Sequence, residues 1–243
     1  MKKILFAAVA LVVVVATAAT AEISGSISTK TVAKYVGSAG TKFYDAPVQQ
    51  TDIFISLPKG FYVDFWNSMP LNGKENFGKE DDWTVGWNGK IGESGLKADI
   101  GISYYDFIGL FNSAGDTINP YAKISMDIAV TKNQTLTPYV KIEAPFPVSG
   151  SSLKGGVRTY GGIIHTWQAS EKLSLSQEAY VVYDNGAYGM DSGFIGKYAA
   201  GASLKIYKSL SLDASLSATA PLTKVHDGRK TEIVPAIGLS TKF

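Results

Sequence analysis

Charged side chains spaced two residues apart are the most informative chemical feature of this chain. Side chains two residues apart share one face of a β-strand, so each segment would carry its charges on one side. Charges arranged around a water-filled lumen set the selectivity of a pore, although they can also pair across a small barrel and fill it. We favour the pore and predict twelve pore-lining residues: Lys90, Lys97, Asp99, Lys123, Asp127, Lys141, Glu143, Arg158, Glu178, Lys197, Lys205 and Asp213.

Catalytic and metal chemistry have little support in the sequence. The chain has two histidines and no cysteine, which excludes thiolate metal sites. His226 lies in a charged, loop-like segment, where a solvated cluster is the simplest interpretation. His165 has no serine two residues away, the spacing that would place a hydroxyl beside its imidazole on one strand face. We therefore predict no catalytic residues, no cofactor and no metal site, with a lipid-modifying barrel enzyme as the less favoured alternative.

The elements that position the charges are predicted to be β-strands. In residues 210–220, the even-numbered positions are leucine or alanine, and the odd-numbered positions are serine, aspartate or threonine. Residues 96–105 and 118–130 alternate in the same way. Each run matches the roughly 9–11 residues that a tilted strand needs to cross a bilayer. This pattern is typical of a transmembrane β-barrel, in which apolar side chains face lipid and polar ones face the lumen.

A repeat of about 37 residues sets the number of strands. Apolar alternation restarts at Phe61, Leu96, Leu136, Leu173 and Leu210, at spacings of 35, 40, 37 and 37 residues. Short polar turns alternate with longer loops near 38–50, 70–81, 108–117, 146–155, 184–193 and 221–231. Five short turns and six long loops join twelve antiparallel strands. A ten-stranded barrel is the alternative, if one hairpin is a folded loop.

The first 21 residues have the form of a secretory signal peptide. Met1-Lys2-Lys3 is basic, residues 4–16 are apolar, and Ala19-Thr20-Ala21 has the small residues of a cleavage site. We expect residues 1–21 to be removed on export and residues 22–243 to form the barrel. Loss of Lys2 and Lys3 reduces 23 Lys and Arg to 21, equal to the 21 Asp and Glu. A mature chain of zero net charge argues against nucleic acid as a partner.

Several segments resemble those of known outer-membrane proteins. The final strand ends on Phe243, as the C-terminal strands of Gram-negative outer-membrane barrels often do. Residues 60–68 (GFYVDFWNS), 81–86 (DDWTVG) and 96–106 (LKADIGISYYD), together with Pro47-Val-Gln49, resemble Gram-negative porins of the TorF type. The chain departs from that pattern at Val36-Gly37, where the family tends to have Arg-Gly. The resemblance implies an outer-membrane barrel that acts as a channel, with no catalytic residues to transfer.

The sequence therefore predicts a monomeric, all-β, up-and-down barrel of the bacterial outer membrane. Its expected function is the passive diffusion of small polar solutes through a narrow lumen of mixed charge. Its expected partners are outer-membrane lipid, those solutes, and the barrel-assembly machinery through Phe243. The main alternative is a plugged structural or adhesive barrel that acts through its outer loops. The sequence names no solute.

Overall fold

The protein is an antiparallel β-barrel in a computed structural model that describes residues 23–73, 78–107 and 115–243. The barrel strands are β1 (Ser24–Val32), β2 (Val48–Ser56), β3 (Phe61–Pro70), β4 (Glu80–Lys90), β5 (Leu96–Asp106), β6 (Thr117–Met126, resumed at Ile128–Thr131), β7 (Gln134–Glu143, extended by Phe146–Pro147), β8 (Val157–Gln168), β9 (Leu173–Asn185), β10 (Gly193–Tyr207), β11 (Leu210–Pro221) and β12 (Glu232–Lys242). Within the described ranges, no helix is long and apolar enough to span a membrane.

The barrel closes through its first and last strands. Each strand pairs antiparallel with its neighbours in sequence, and β12 pairs with β1 from Ser26 opposite Lys242 to Val32 opposite Ala236. Closure gives every strand two partners, so the sheet has no open edge. The predicted twelve-stranded, up-and-down architecture is confirmed, and the ten-stranded alternative is wrong.

The two ends of the barrel differ in the length of their connections. Residues 57–60, 91–95, 132–133, 169–172 and 208–209 form the short connections at one end, which we call the turn end. The longer connections join the strands at the other end, which we call the loop end. Their described residues are 33–47, 71–73, 78–79, 107, 115–116, 144–156, 186–192 and 222–231. The first of these, residues 33–47, is called loop one. It carries a small hairpin of Tyr35–Val36 and Lys42–Tyr44.

Large apolar side chains cover the outside of the barrel. Ile100, Val140, Leu216 and Ile237 have 53%, 58%, 53% and 58% of their surface exposed. By contrast, Tyr160 on the inward face is 4% exposed. An apolar outside and a polar inside reverse the usual distribution in a water-soluble protein and match a barrel surrounded by hydrocarbon.

Aromatic residues lie at both ends of the outer surface. Trp167 and Tyr207 are exposed near the turn end, and Phe194 is exposed near the loop end. The sequence pattern also predicts Tyr35, Tyr104 and Phe107 in the outer aromatic band at the loop end. For these three the prediction of exposure is wrong: Tyr35 and Phe107 are buried against Phe43 of loop one, and the buried Tyr104 donates to Asp116.

The closing seam requires a glycine. Gly25 and Phe243 exchange backbone hydrogen bonds of 2.9 and 3.0 Å, so the last residue is part of the seam between β12 and β1. A Cβ atom on Gly25 would lie 2.4 Å from the Phe54 carbonyl oxygen and 2.7 Å from the Phe243 ring. The terminal aromatic ring and the neighbouring backbone therefore occupy the space that a side chain at residue 25 would need.

Gly25→Val should destabilise the seam. Overpacking typically costs about 1–3 kcal/mol, so the urea midpoint of unfolding should fall, as measured by the mobility difference between folded and unfolded barrel on gels. Gly161→Val is the matched control, because nothing lies within 4 Å of a Cβ at that position. Equal midpoints for the two variants would contradict this account of the seam.

Candidate functional site

Loop one folds into the loop end of the lumen. The Ser38 hydroxyl lies 3.0 Å from the Tyr160 hydroxyl, and the Tyr180 hydroxyl donates to the Ser38 carbonyl oxygen at 2.8 Å. Ala39 is 1% exposed. Gly40, with a φ of 79°, reverses the chain in the left-handed region that favours glycine. Loop one thus reaches from β1 to the wall formed by β8 and β9 and narrows the lumen there.

An ionic network connects loop one to the barrel wall. Arg229 of the last loop donates to the Ala39 carbonyl oxygen at 3.3 Å and to the Asp184 carboxylate at 2.9 Å. Asp184 also accepts from Nε of Arg158 at 3.3 Å. Because these groups are buried, removing one partner would leave an uncompensated charge.

Two predicted pore residues extend this network. Glu143 lies 4.0 Å from Nη1 of Arg158 and accepts from Lys141 at 2.8 Å.

Arg229 also pairs with Asp227 of the same loop, at 2.7 Å. Burial alone would raise the pKa of Asp227. The hydrogen bonds that Asp227 accepts from Arg229 more than offset this effect, so its pKa is lowered. The Asp227 carboxylate therefore stays charged at neutral pH.

Tyr188 lies at the loop end of the lumen, beside loop one. Its φ of 61° places a non-glycine residue in the left-handed region, a conformation that costs roughly 1–2 kcal/mol. The hydroxyl donates to Asn119 at 2.9 Å, and the Arg158 guanidinium lies 4.6 Å from the ring centre. Burial raises the pKa of Tyr188, which keeps the hydroxyl protonated as a donor.

Cations on the inward face lie over tyrosine rings. Lys123 is 4.4 Å from the centre of Tyr139, and Lys197 is 5.8 Å from that of Tyr180. Lys141 lies 4.9 Å from the ring centre of Tyr121. Ring faces carry negative charge density, which attracts these cations without neutralising them.

Two predicted carboxylates are held by tyrosine hydroxyls. Asp99 accepts from Tyr62 at 2.7 Å and from Tyr121 at 3.3 Å. Glu178 accepts from Tyr139 at 2.8 Å. Tyr62 lies on β3 and Tyr121 on β6, with two strands between them. The hydrogen bond between their hydroxyls therefore also shows that both side chains point into the lumen.

The remaining predicted pore residues lie towards the turn end. Lys97 forms an ion pair with Asp127, and both are exposed. Lys90 is the last residue of β4, and Lys205 lies near the end of β10; both are exposed. Asp213 lies with Lys30 beside a cavity of about 210 Å³. The structure therefore brings Lys141, Glu143 and Arg158 together and leaves the turn-end lysines apart.

Several charged residues of the lumen lie outside the set of predicted pore residues. Asp184 and Arg229 form the network described above. The sequence Lys79-Glu-Asp-Asp82 predicts a solvated acidic loop, but Glu80 and Asp82 lie on β4 and line a cavity beneath loop one. Extending the alternation of Trp83, Val85 and Trp87 backwards would have placed both carboxylates inside. No pattern in the sequence indicates that Arg229 folds inward.

The two sides of the lumen carry side chains of different size. On β9 to β12, the wall of the 210 Å³ cavity includes Ser176, Gly201, Ser203, Ser215 and Gly238. On β3 to β8, the inward face carries the tyrosines described above. Small side chains leave the turn-end half of the lumen unfilled on one side.

Comparisons with known proteins agree on the fold. No family model matches the chain, and no curated protein matches it. Among solved structures, the NanC porin has a TM-score of 0.59 at 12% identity and covers 91% of this chain and 100% of its own. The KdgM porin has a TM-score of 0.59 at 11% identity, covering 90% and 99%. An outer membrane channel from Pseudomonas putida F1 has a TM-score of 0.53 at 10% identity, covering 92% and 97%.

These likenesses show a shared barrel fold across nearly the whole described chain. At 10–12% identity, these structures do not indicate the role of any individual residue in this chain. The neighbours are porins and a channel. At the level of fold, they agree with the outer-membrane barrel that the sequence predicts. The finer resemblance to TorF-type porins stays a prediction.

Arg229→Ala should release loop one from the wall. Hydrogen bonds to charged groups contribute about 1.5–3 kcal/mol, so the amide of Gly37, bonded within loop one, should exchange hydrogen about tenfold faster or more. Hydrogen-exchange mass spectrometry of the folded barrel in detergent measures this. Lys224→Ala, an exposed cation on the same loop, is the control. Unchanged exchange in Arg229→Ala would show that the network does not hold loop one.

Proposed function

We propose that this protein is an outer-membrane channel through which small polar solutes diffuse passively. The unfilled side of the lumen carries the proposal. A purely structural barrel of this size can fill its interior with side chains, yet serine and glycine line the wall from β9 to β12 beside a 210 Å³ cavity. The apolar exterior supports a location in the membrane, and the porin neighbours support the same function.

In this proposal loop one forms the constriction and the charged residues of the lumen set selectivity. Loop one narrows the loop end, and the mixed charges beneath it face the solute. Arg158, Lys141 and Glu143 lie next to the constriction, where a solute would pass closest to charge. The predicted pore-lining role of the twelve charged residues belongs to this proposal. Lys97 and Asp127 would contribute least, because they pair with each other in an exposed position.

Export, location and assembly follow from the same proposal. Residues 1–21 lie outside the described residues, so their role as a signal peptide stays a prediction. We propose that the mature chain inserts into the bacterial outer membrane as a monomer. The position of Phe243 in the closing seam supports its proposed recognition by the barrel-assembly machinery.

A plugged structural or adhesive barrel is the second candidate. The inward-folded loop one, Tyr188 and Arg229 favour it, because together they fill much of the loop end. A lipid-modifying enzyme is less supported. His165, half-buried, lies 3.3 Å from the side chain of Gln134, and the described residues contain no group of three or more potential metal ligands.

Conductance in a planar bilayer separates the channel from the plugged barrel. We expect stable single-channel steps from the wild type and larger steps when residues 37–41 are shortened to a two-glycine turn, because the constriction is removed. Absence of steps from both proteins would contradict the channel.

The same recordings test the charged lumen. Lys123→Gln removes a positive charge that has no carboxylate within 4 Å among the described residues. One charge about 4 Å from a passing ion contributes about 1 kcal/mol in water. The cation-to-anion permeability ratio, obtained from the reversal potential in a salt gradient, should therefore rise severalfold. Lys224→Gln on an outer loop is the control. Equal reversal potentials for Lys123→Gln and the wild type would remove Lys123 from the selectivity residues.

A further inference from the structure

A cavity beneath loop one combines acidic and aromatic groups. This loop-one cavity has a volume of about 250 Å³ and lies between the inner side of loop one and the walls formed by β1 to β5, β7 and β8. Glu80 and Asp82 of β4 line one side. Tyr35, Phe43, Trp66, Tyr105 and Phe107 line much of the rest.

The carboxylates of this cavity lack cationic partners. Among the ion pairs of the described residues, none within 4 Å includes Glu80, Asp82 or their neighbour Asp64. Glu80 accepts a hydrogen bond from Tyr35, a neutral donor. Two neighbouring carboxyls on one strand face do not both ionise readily, because the two negative charges would repel each other; a cation bound between them would favour the ionised forms.

Two cations of the protein line the cavity, and neither pairs with Glu80 or Asp82. Arg158 pairs with Asp184 and Glu143 on the opposite side. Lys30 forms no ion pair within 4 Å with a described carboxylate. No cation of the described residues therefore neutralises the Glu80 and Asp82 carboxyls by direct contact.

The aromatic rings form a continuous group. The centre of Tyr35 lies 5.6 Å from that of Trp66 and 4.9 Å from that of Phe43. Phe43 lies 5.2 Å from Phe107, which meets Tyr105 edge-on at 6.3 Å. This arrangement presents several ring faces next to the unpaired carboxylates.

A contrast within the lumen shows what these rings lack. Tyr121, Tyr139, Tyr160 and Tyr180 each have a lysine over the ring, and Tyr188 has Arg158. Among the described residues, no such protein cation lies over the five rings named above. These five tyrosines thus have a cation of the protein over the ring, whereas the five rings of the continuous group have none among the described residues.

We propose that the loop-one cavity binds a small organic ammonium ion. Ring faces attract an alkylated ammonium group, and carboxylates neutralise its charge without demanding the tight coordination that a metal ion needs. The absence of a metal-ligand cluster among the described residues agrees with an organic rather than a metallic cation. The inference names a solute class for the proposed channel, and its role in transport rests on that proposal.

Calorimetry with choline as the probe tests the site without requiring conduction. The folded barrel in detergent should bind choline saturably. It should bind the uncharged isostere 3,3-dimethyl-1-butanol more weakly, by about tenfold, because the isostere has the same shape but no charge. Equal affinity for both compounds would show a merely apolar pocket and overturn the inference, as would the absence of saturable choline binding.

Matched variants locate the binding groups. Asp82→Asn should weaken choline binding severalfold, whereas Asp99→Asn, a lumen carboxylate held by Tyr62 outside the cavity, should not. Trp66→Leu should weaken it about threefold or more, whereas Trp83→Leu on the outer face should not. Gel mobility establishes that each variant is folded, and each pair provides an independent test. Equal effects within both pairs would overturn the proposed site.

The two proposals fail separately. Choline binding with the expected variant pattern, but no conductance steps, would support the site and contradict the channel. Conductance steps without choline binding would support the channel and overturn the site.

Discussion

The pairing of every strand with two neighbours is the constraint on which the rest of this structure depends. A sheet in hydrocarbon cannot leave backbone donors and acceptors open, so the chain must close on itself, and the seam between β1 and β12 achieves this. Closure gives the sheet an outside and an inside, so alternate residues of each strand face outward and the residues between them face the lumen. Once leucine, isoleucine and valine occupy the outward positions, the charged residues have only the lumen to face. The position of the charges is thus a consequence of closure and alternation.

Within the lumen, burial of so many charges has to be compensated. Tyrosine supplies much of that compensation, because its hydroxyl donates to Asp99 and Glu178 and its ring accepts Lys123 and Lys197. Arginine supplies the rest at the loop end, where Arg158 and Arg229 share Asp184. The serine and glycine wall opposite carries few such contacts and leaves space. One lumen therefore combines a side filled by tyrosine and charged side chains with a side that small residues leave open.

The sequence predicted the parts of this structure that depend on local alternation. Strand number, the order of short and long connections, and the inward position of Asp99, Lys141 and Glu178 follow from period-two patterns and turn residues. The fold of loop one did not follow, because Tyr35 and Phe43 gain their contacts from β3 and the end of β5, far away in sequence. Arg229 was missed for the same reason. Glu80 and Asp82 were within reach of the alternation in β4 but were assigned to a loop because three acidic residues in a row resemble a solvated turn.

The most direct test of alternation is the reactivity of single cysteines along β11 in liposomes. The chain has no cysteine of its own, so each substitution provides one thiol. A membrane-impermeant maleimide should label Ser215→Cys and Ser217→Cys through an aqueous lumen and leave Leu216→Cys unlabelled in lipid. Labelling of Leu216→Cys together with protection of both serine positions would contradict the assignment of the two faces.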